Sequence, residues 1–287
     1  MAVYSYVTLD VFTDRPLAGN QLAVFTDAPE IPEELLQPLA AEMALSETVF
    51  LYPPDGDGDA RIRIFTPRRE LPFAGHPVLG SAVAVAIARG RSTVLLETGA
   101  GPVPVSVTTL DARTAAGRMR QPTPTIAAYP DPGPLLAALG VERSELPVEV
   151  YDNGVPHLYV TLADEDAVAA LEPDLGAIAR IVVNGPLPLV GVNAVAGAGS
   201  RWKTRMFAPA DGVPEDPATG SAAGPLAVHL ARHGRIAFGQ EIEISQGAEI
   251  ARPSTLIAVA HGTLDAIAAV EVAGTAVFVG EGSISLT

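Results

Sequence analysis

Four polar side chains stand where chemistry is expected: Glu47, His76, Asp216 and Ser221. Glu47 lies in Leu45-Ser46-Glu47-Thr48-Val49-Phe50, where a helical pattern gives way to an apolar strand. A carboxylate at that junction is either exposed at the turn or partly desolvated. Desolvation raises its pKa, which suits a general acid/base working near neutral pH. His76 sits between Gly75 and Pro77, which fix the backbone tightly. A lone His beside an apolar run usually caps or packs, but here its orientation is constrained. Asp216 precedes Pro217-Ala218-Thr219-Gly220-Ser221-Ala222. Its plain role is an N-cap; its chemical role is to hold His76 or a substrate hydroxyl. Gly220 and Ser221 read as a helix start, as do Gly80 and Ser81. The first amides of a helix lack internal partners and carry partial positive charge, so they suit a carboxylate or an enolate-like oxygen. The alternative is that Gly and Ser merely cap and pack the helices.

The elements that must position these groups come in two copies. Phe65 to Gly90 reads FTPRRELPFAGHPVLGSAVAVAIARG, and Phe207 to Gly234 reads FAPADGVPEDPATGSAAGPLAVHLARHG. His76-Pro77-x-x-Gly80-Ser81-Ala82 aligns with Asp216-Pro217-x-x-Gly220-Ser221-Ala222, an offset of 216 − 76 = 140, close to half of the 287 residues. Such a repeat predicts two related lobes, with two helix starts facing a shared cleft. The copies diverge at one polar position, His76 against Asp216, as an asymmetric ligand requires.

Strand periodicity marks Val3–Phe12, Gln21–Phe25, Thr48–Tyr52 and Arg61–Phe65. Thr93–Glu97, Val103–Thr108 and Gly117–Arg120 follow. Ile31–Leu45 has helical spacing, with Pro38 as a kink or a true first turn. Gln121–Pro134 holds five prolines and a glycine and reads as a linker without regular structure. The second half then offers Val155–Leu162, a helical Glu165–Ile181, and strands at Leu187–Ala196 and Trp202–Phe207. Glu241–Ser245, Leu256–His261, Ile267–Val272 and Ala276–Gly280 close the chain as strands. Consecutive strands with one long apolar helix per half make an α+β fold, with lobes at 1–122 and 123–287 and a last strand able to pack back on the first lobe.

Composition removes several function classes. The apolar fraction of 48% supports a sizeable core. A net charge of −15 argues against nucleic acid or an anionic membrane as partner. There is no cysteine, which excludes disulfides, thiol catalysis and cysteine-based metal sites. Lys203 is the only lysine. The four remaining histidines, His157, His229, His233 and His261, show no metal-ligand spacing with carboxylates, and no nucleotide-binding glycine motif is present. The N-terminus alternates as a strand and does not read as a signal peptide. The apolar run Pro77–Ala88 is far shorter than the ~20 residues of a membrane helix. A cytoplasmic setting is expected.

The chain resembles the PhzF family of phenazine-biosynthesis isomerases. The resemblance spans nearly its whole length. Its carriers are Asp10-Val11-Phe12 with Pro16 to Asn20, Leu45 to Phe50, Phe65 to Gly80, Arg205 to Pro209, Glu215 to Ala222, Gln246-Gly247 and Arg252-Pro253-Ser254. It implies a diaminopimelate epimerase-like fold: two pseudo-symmetric lobes, each a mixed, barrel-like β-sheet round a central helix. It implies Glu47 as the acid/base that moves a proton between two carbons of a small cyclic carboxylic acid. His76 and Asp216 would join it in the catalytic set; Asn20, Ser46, Gly75, Gly220 and Ser221 would bind the substrate. No cofactor and no metal are implied, and a homodimer is expected. Related epimerases use two cysteines; Ala74 stands in the first lobe's equivalent place, so a two-thiol racemase is excluded. A thiol-free epimerase and a non-catalytic metabolite-binding protein stay as alternatives.

Overall fold

A computed structural model describes residues 2–286. The chain forms two compact units, one from the segments up to Arg120 and from Ala273 onward, the other from Gln121–Val272.

The first unit contains β1 (Ala2–Val11), β2 (Asn20–Phe25), α1 (Glu33–Met43), β3 (Glu47–Tyr52), β4 (Ala60–Phe65), β5 (Glu70–Leu71), α2 (Gly75–Arg89), β6 (Thr93–Thr98), β7 (Gly101–Thr109) and β8 (Thr114–Gln121). Pairing runs β1–β2–β3–β4–β6–β7–β8, with β2–β3 and β4–β6 parallel. The chain's last strand, Ile267–Leu286, pairs with both β8 and β1, so eight strands close on themselves. Helix α2 touches β1, β2, β3, β4, β6 and β7, and its residues from Gly75 to Ala86 are buried. A helix with no polar face has only this solution in water: a sheet on every side. It stops at Gly90 in the left-handed conformation (φ 65°), a glycine C-cap.

The second unit repeats the plan: β9 (Thr125–Ala128), α3 (Gly133–Leu139), β10 (Glu149–Asp152), β11 (Pro156–Thr161), α4 (Glu165–Ala169), α5 (Leu175–Asn184), β12 (Gly191–Ala198), β13 (Arg201–Ala208), β14 (Val213–Asp216), α6 (Gly220–Arg232), β15 (Ile242–Gln246), β16 (Ser254–Gly262) and the start of β17 (Ile267–Leu286). Its pairing runs β9–β10–β11–β12–β13–β15–β16, with β11–β12 and β13–β15 parallel. Helix α6 is buried from Gly220 to Ala231. The architecture is the expected α+β fold with a mixed sheet round one apolar helix in each half. Among the described residues, no helix is long and apolar enough to cross a membrane.

Several local expectations need correction. The proline-rich segment is not structureless: β9 forms between Pro124 and Pro130, where no proline has to donate to the ladder, and pairs with β10. The helical stretch Glu165–Ile181 is two helices, parted at Pro173 and restarted by Asp174, whose carboxylate accepts the Ala177 amide at 2.9 Å. Helix α1 runs through Pro38 instead of starting there. The last two expected strands are one strand of 20 residues.

Candidate active site

In the first unit, three of the expected residues meet. Asn20 opens β2 and is buried. The loop before it turns at Gly19 (φ 66°), where a Cβ would lie 2.4 Å from the Val11 carbonyl oxygen, so only glycine fits. Glu47 opens β3, in parallel register with Leu22 of β2, and Ser46 precedes it, half-buried, at the end of the turn. That turn reverses through Ala44, which caps α1 in the left-handed region (φ 52°). His76 lies in the first turn of α2, beside Gly75, the helix's first residue. Its Nδ1 is 3.1 Å from Asn20 Nδ2 and 3.4 Å from Glu47 Oε2. The Glu47 side chain is 15% exposed and its Oε2 atom is buried. Burial pushes the His76 imidazole down to about 3, against a smaller opposite pull from the Gln21 backbone. At neutral pH the histidine is therefore uncharged, and Glu47 faces a dipole rather than a cation.

The two copies of the repeat fold differently at their helix starts. Gly80-Ser81-Ala82 does not open a helix: α2 already starts at Gly75, so Ser81 is fully buried beyond the first turn. Pro77 in that first turn lacks only an amide proton the helix does not use. Gly80 is there for packing, since a Cβ would sit 2.6 Å from Leu22 Cδ2 and 2.8 Å from Val11 Cγ2. In the second unit, Asp216 ends β14 and the helix waits until Gly220.

Gln246 explains the delay. Its Oε1 accepts the Thr219 amide at 3.0 Å, and its Nε2 donates to the Asp216 carbonyl (2.8 Å) and to Thr219 Oγ1 (2.9 Å). The Thr219 hydroxyl in turn donates to Asp216 Oδ2 at 2.6 Å. Residues 216–219 are thereby held out of the helix, with the Asp216 side chain tied by Thr219. Below Asp216, Arg205 grips Glu215 through two parallel bonds (2.9 and 2.7 Å) and also donates to the Leu171 carbonyl at 2.7 Å. Such a bidentate pair fixes the approach of β14 geometrically.

Ser221 is braced from three sides. Gln121 Nε2 donates to the Gly220 carbonyl (2.8 Å), Asn153 Nδ2 to the Ser221 carbonyl (3.0 Å), and Tyr159 OH to the Ala222 carbonyl (2.6 Å). His157 Nε2 lies 2.9 Å from Ser221 Oγ. In the sequence nothing assigned a role to Gln121, Asn153 or Tyr159, Thr219 stood only as part of a motif, and no partner was offered for His157. Gln246 appeared only as part of a motif. Their partners lie 27 to 99 residues away, except for Thr219 with Asp216, so spacing carries no trace of most of them.

Two of the histidines that show no carboxylate spacing in the sequence meet a carboxylate in the fold. His229 and His233, near the end of α6, do meet a carboxylate: Glu149 of β10, with all three ligand atoms within 4.8 Å of one another. Glu149 Oε2 accepts from Tyr151 OH (2.7 Å), His233 Nε2 (2.9 Å) and Arg232 (3.2 Å). Burial pushes the Glu149 carboxyl up, but hydrogen bonds from His229, His233 and Tyr151, helped by the Arg232 charge, leave it well below the usual carboxylate range. The Arg232 guanidinium also donates to Tyr151 OH at 2.8 Å, so the carboxylate already faces a positive charge that would repel a metal ion. The cluster locks β10 to the C-terminal turn of α6.

With this geometry in view, comparison with known proteins places the chain. The family model described as phenazine biosynthesis-like protein (PhzC-PhzF) matches residues 9–282. The chain belongs to the PhzF family. It is 49% identical over 280 residues to the trans-2,3-dihydro-3-hydroxyanthranilate isomerase of Pseudomonas aeruginosa, covering 98% of this chain and 99% of that one. A Bacillus anthracis protein of the PhzF family shares the fold with a TM-score of 0.84 at 23% identity, each chain fully covered. A hydroxyproline epimerase from Agrobacterium vitis shares it with a TM-score of 0.69 at 12% identity, over 99% of this chain and 91% of that one. The protein is thus an isomerase of the PhzF family on an epimerase-type fold.

Proposed function

We propose that this PhzF-family isomerase shifts a proton between two carbons of a cyclic, unsaturated carboxylic acid, with Glu47 as the single acid/base. The substrate class is that of its Pseudomonas aeruginosa relative, a dihydro-hydroxyanthranilate. The observation that carries this reading is the buried Glu47 Oε2 beside a neutral His76. A carboxylate clamped by a cation is a poor base; one beside an uncharged imidazole keeps the affinity for a proton that general-base work needs. In the step, the Glu47 carboxylate takes a proton from an sp³ carbon next to the unsaturation. The C–H electron pair moves along the conjugated system, and Glu47 returns the proton to a second carbon on the same face. Atoms and electrons balance within substrate and carboxyl, so no cofactor enters.

His76, oriented by Asn20, and Asp216, tied by Thr219, complete the catalytic set. Ser46, Gly75, Gly220 and Ser221 join Asn20 in binding the carboxylate and polar groups. A homodimer and a cytoplasmic setting accompany this reading. The test is turnover of trans-2,3-dihydro-3-hydroxyanthranilate in heavy water, followed by NMR. Wild-type protein is expected to convert it, with deuterium entering the product. A folded Glu47→Gln variant is expected to lose at least ~10²-fold in rate, the usual size of a general acid/base contribution. Equal rates for the two proteins would remove Glu47 from the mechanism.

A further inference from the structure

His157 has been given no task by the reaction just proposed, yet it is completely buried beside a residue of the proposed site. It lies on β11, with Nε2 2.9 Å from Ser221 Oγ. Its other nitrogen, Nδ1, is buried and has no hydrogen-bond partner among the described residues. Burial pushes the imidazole down to about 3, so at neutral pH the ring carries one proton only. That proton sits on one of two nitrogens, and the surroundings decide which. Gly191 is the strand partner of His157, and a Cβ there would lie 3.5 Å from Nδ1 and 2.2 Å from Met206 Cε. The space beside Nδ1 is therefore the one that glycine leaves open and a methionine methyl fills. An N–H aimed there would be an orphaned buried donor, which native structures tolerate less readily than a bare acceptor.

We propose that His157 is a positioning residue for Ser221: its Nε2–H donates to the Ser221 hydroxyl oxygen, leaving the Ser221 proton to be donated to the substrate. The inference rests on the assignment of Ser221 to substrate binding made above. A lone serine hydroxyl rotates among staggered positions and is both donor and acceptor. With one lone pair already taken by His157, the Ser221 hydroxyl is fixed in direction and committed to giving a hydrogen bond. Asn153 and Gln121 fix the same residue's backbone through the Ser221 and Gly220 carbonyls. What such a group recognises is an anionic or carbonyl oxygen, the carboxylate of the acid being the natural one. Donors held ready before the ligand arrives need no reorganisation on binding.

Two measurements test this. The first is nitrogen NMR on the full chain labelled at its histidines, with His157 assigned by comparison with His157→Gln. Nε2 protonated and Nδ1 bare is the expected result; a proton on Nδ1 overturns the proposal. The second is calorimetric affinity for 3-hydroxyanthranilate, an aromatic analogue of the relative's substrate. Ser221→Ala and His157→Leu are each expected to weaken binding about tenfold, equivalent to one lost hydrogen bond. The double variant should be no weaker than either single one, because both remove the same contact. His157→Gln, which can place an amide donor near the Nε2 position, should recover most of the affinity. A His157→Leu protein that binds like wild type, or a folded His157→Gln protein no better than His157→Leu, overturns the proposal. If Ser221→Ala leaves affinity intact while the enzyme still isomerises its substrate, the positioning role falls and the Glu47 reaction stands. If wild type does not isomerise but the affinity losses appear as described, the reaction assignment falls and the His157–Ser221 pair stands.

Discussion

Asn153 donates its side-chain amide to the carbonyl oxygen of Ser221 at 3.0 Å, and that carbonyl is the one Pro225 leaves without a helical donor. Position 225 is four residues after 221, so an ordinary residue there would serve it through its backbone N–H; proline has none. The proline inside α6 is thus matched by an asparagine from the segment between β10 and β11. The first turn of α6 is held from outside the helix as well as from within.

Removing that donor should therefore cost stability in a way that depends on Pro225. Asn153→Ala is expected to lower unfolding free energy by about 1–3 kcal/mol, the cost of stranding a buried polar group. In a Pro225→Ala background the helix regains its own N–H at that position, and the same substitution should cost less. Urea unfolding of the four proteins gives the coupling. Equal costs in the two backgrounds would show that Asn153 matters for some other reason.

Gln246 offers a second handle, because it helps keep residues 216–219 out of the helix. Gln246→Leu strands the Thr219 amide and removes the bond donated to the Asp216 carbonyl, and is expected to destabilise by about 1–3 kcal/mol. It should also raise the KM for the acid, since Asp216 and Thr219 lose their fixed backbone. Gln246→Glu keeps an acceptor for Thr219 but loses both donated bonds, so it should fall between wild type and Leu. Steady-state kinetics beside a melting curve separates the two effects; a KM unchanged in Gln246→Leu would argue that the segment needs no clamp.

How much of this was legible in the sequence follows from the range of each interaction. Strands such as β1 and β4 declared themselves because alternation is local, and α2 did because a helix apolar on all sides must be wrapped. The repeat exposed the shared plan of the two halves. It misled at the helix starts, where Gly80 and Gly220 align but only Gly220 opens a helix. The difference lies in Gln246, which acts from a strand beyond α6 and has no signature near residue 216. The Glu149 cluster escaped for the same reason: a carboxylate 80 or more residues from its histidines has no spacing to recognise. Strand β9 was hidden by its prolines, which flank the ladder instead of interrupting it.

Gly80 should behave as a packing residue and not as a ligand-approach residue. A methyl group there would lie 2.6 Å from Leu22 Cδ2 and 2.8 Å from Val11 Cγ2, on two neighbouring strands of the barrel. Gly80→Ala is therefore expected to destabilise by roughly 1–3 kcal/mol through overpacking, despite the better helix propensity of alanine. A companion Leu22→Val, which shortens the nearer obstacle, should recover part of the loss. Thermal unfolding of the single and double variants checks it; a Gly80→Ala protein as stable as wild type would mean that α2 can shift without cost.

Stability should fall with acid well before the carboxylates titrate, and the buried histidines set the window. Both His76 and His157 have imidazoles moved from 6.5 to about 3 by burial. As pH drops below 6.5 the unfolded chain takes up a proton on each, while the native state does not until about 3. The unfolded state then binds more protons, so native stability is complete above pH 6.5 and declines as pH falls. The slope near pH 5 is about 1.4 kcal/mol per pH unit for each such histidine. His157→Gln removes one of them without removing a donor near Ser221. Its unfolding free energy, measured in urea at pH 4, 5 and 6, should therefore vary less steeply than that of wild type, by about 1.4 kcal/mol per unit. Glu149, held below the ordinary carboxylate range, contributes stability that is present above about 4.5 and lost only as pH falls further, so its loss adds at the acid end of the same curve. A slope unaltered by His157→Gln would mean that the imidazole takes up its proton in the native state over this pH range as it does in the unfolded chain, and that burial does not hold it neutral there.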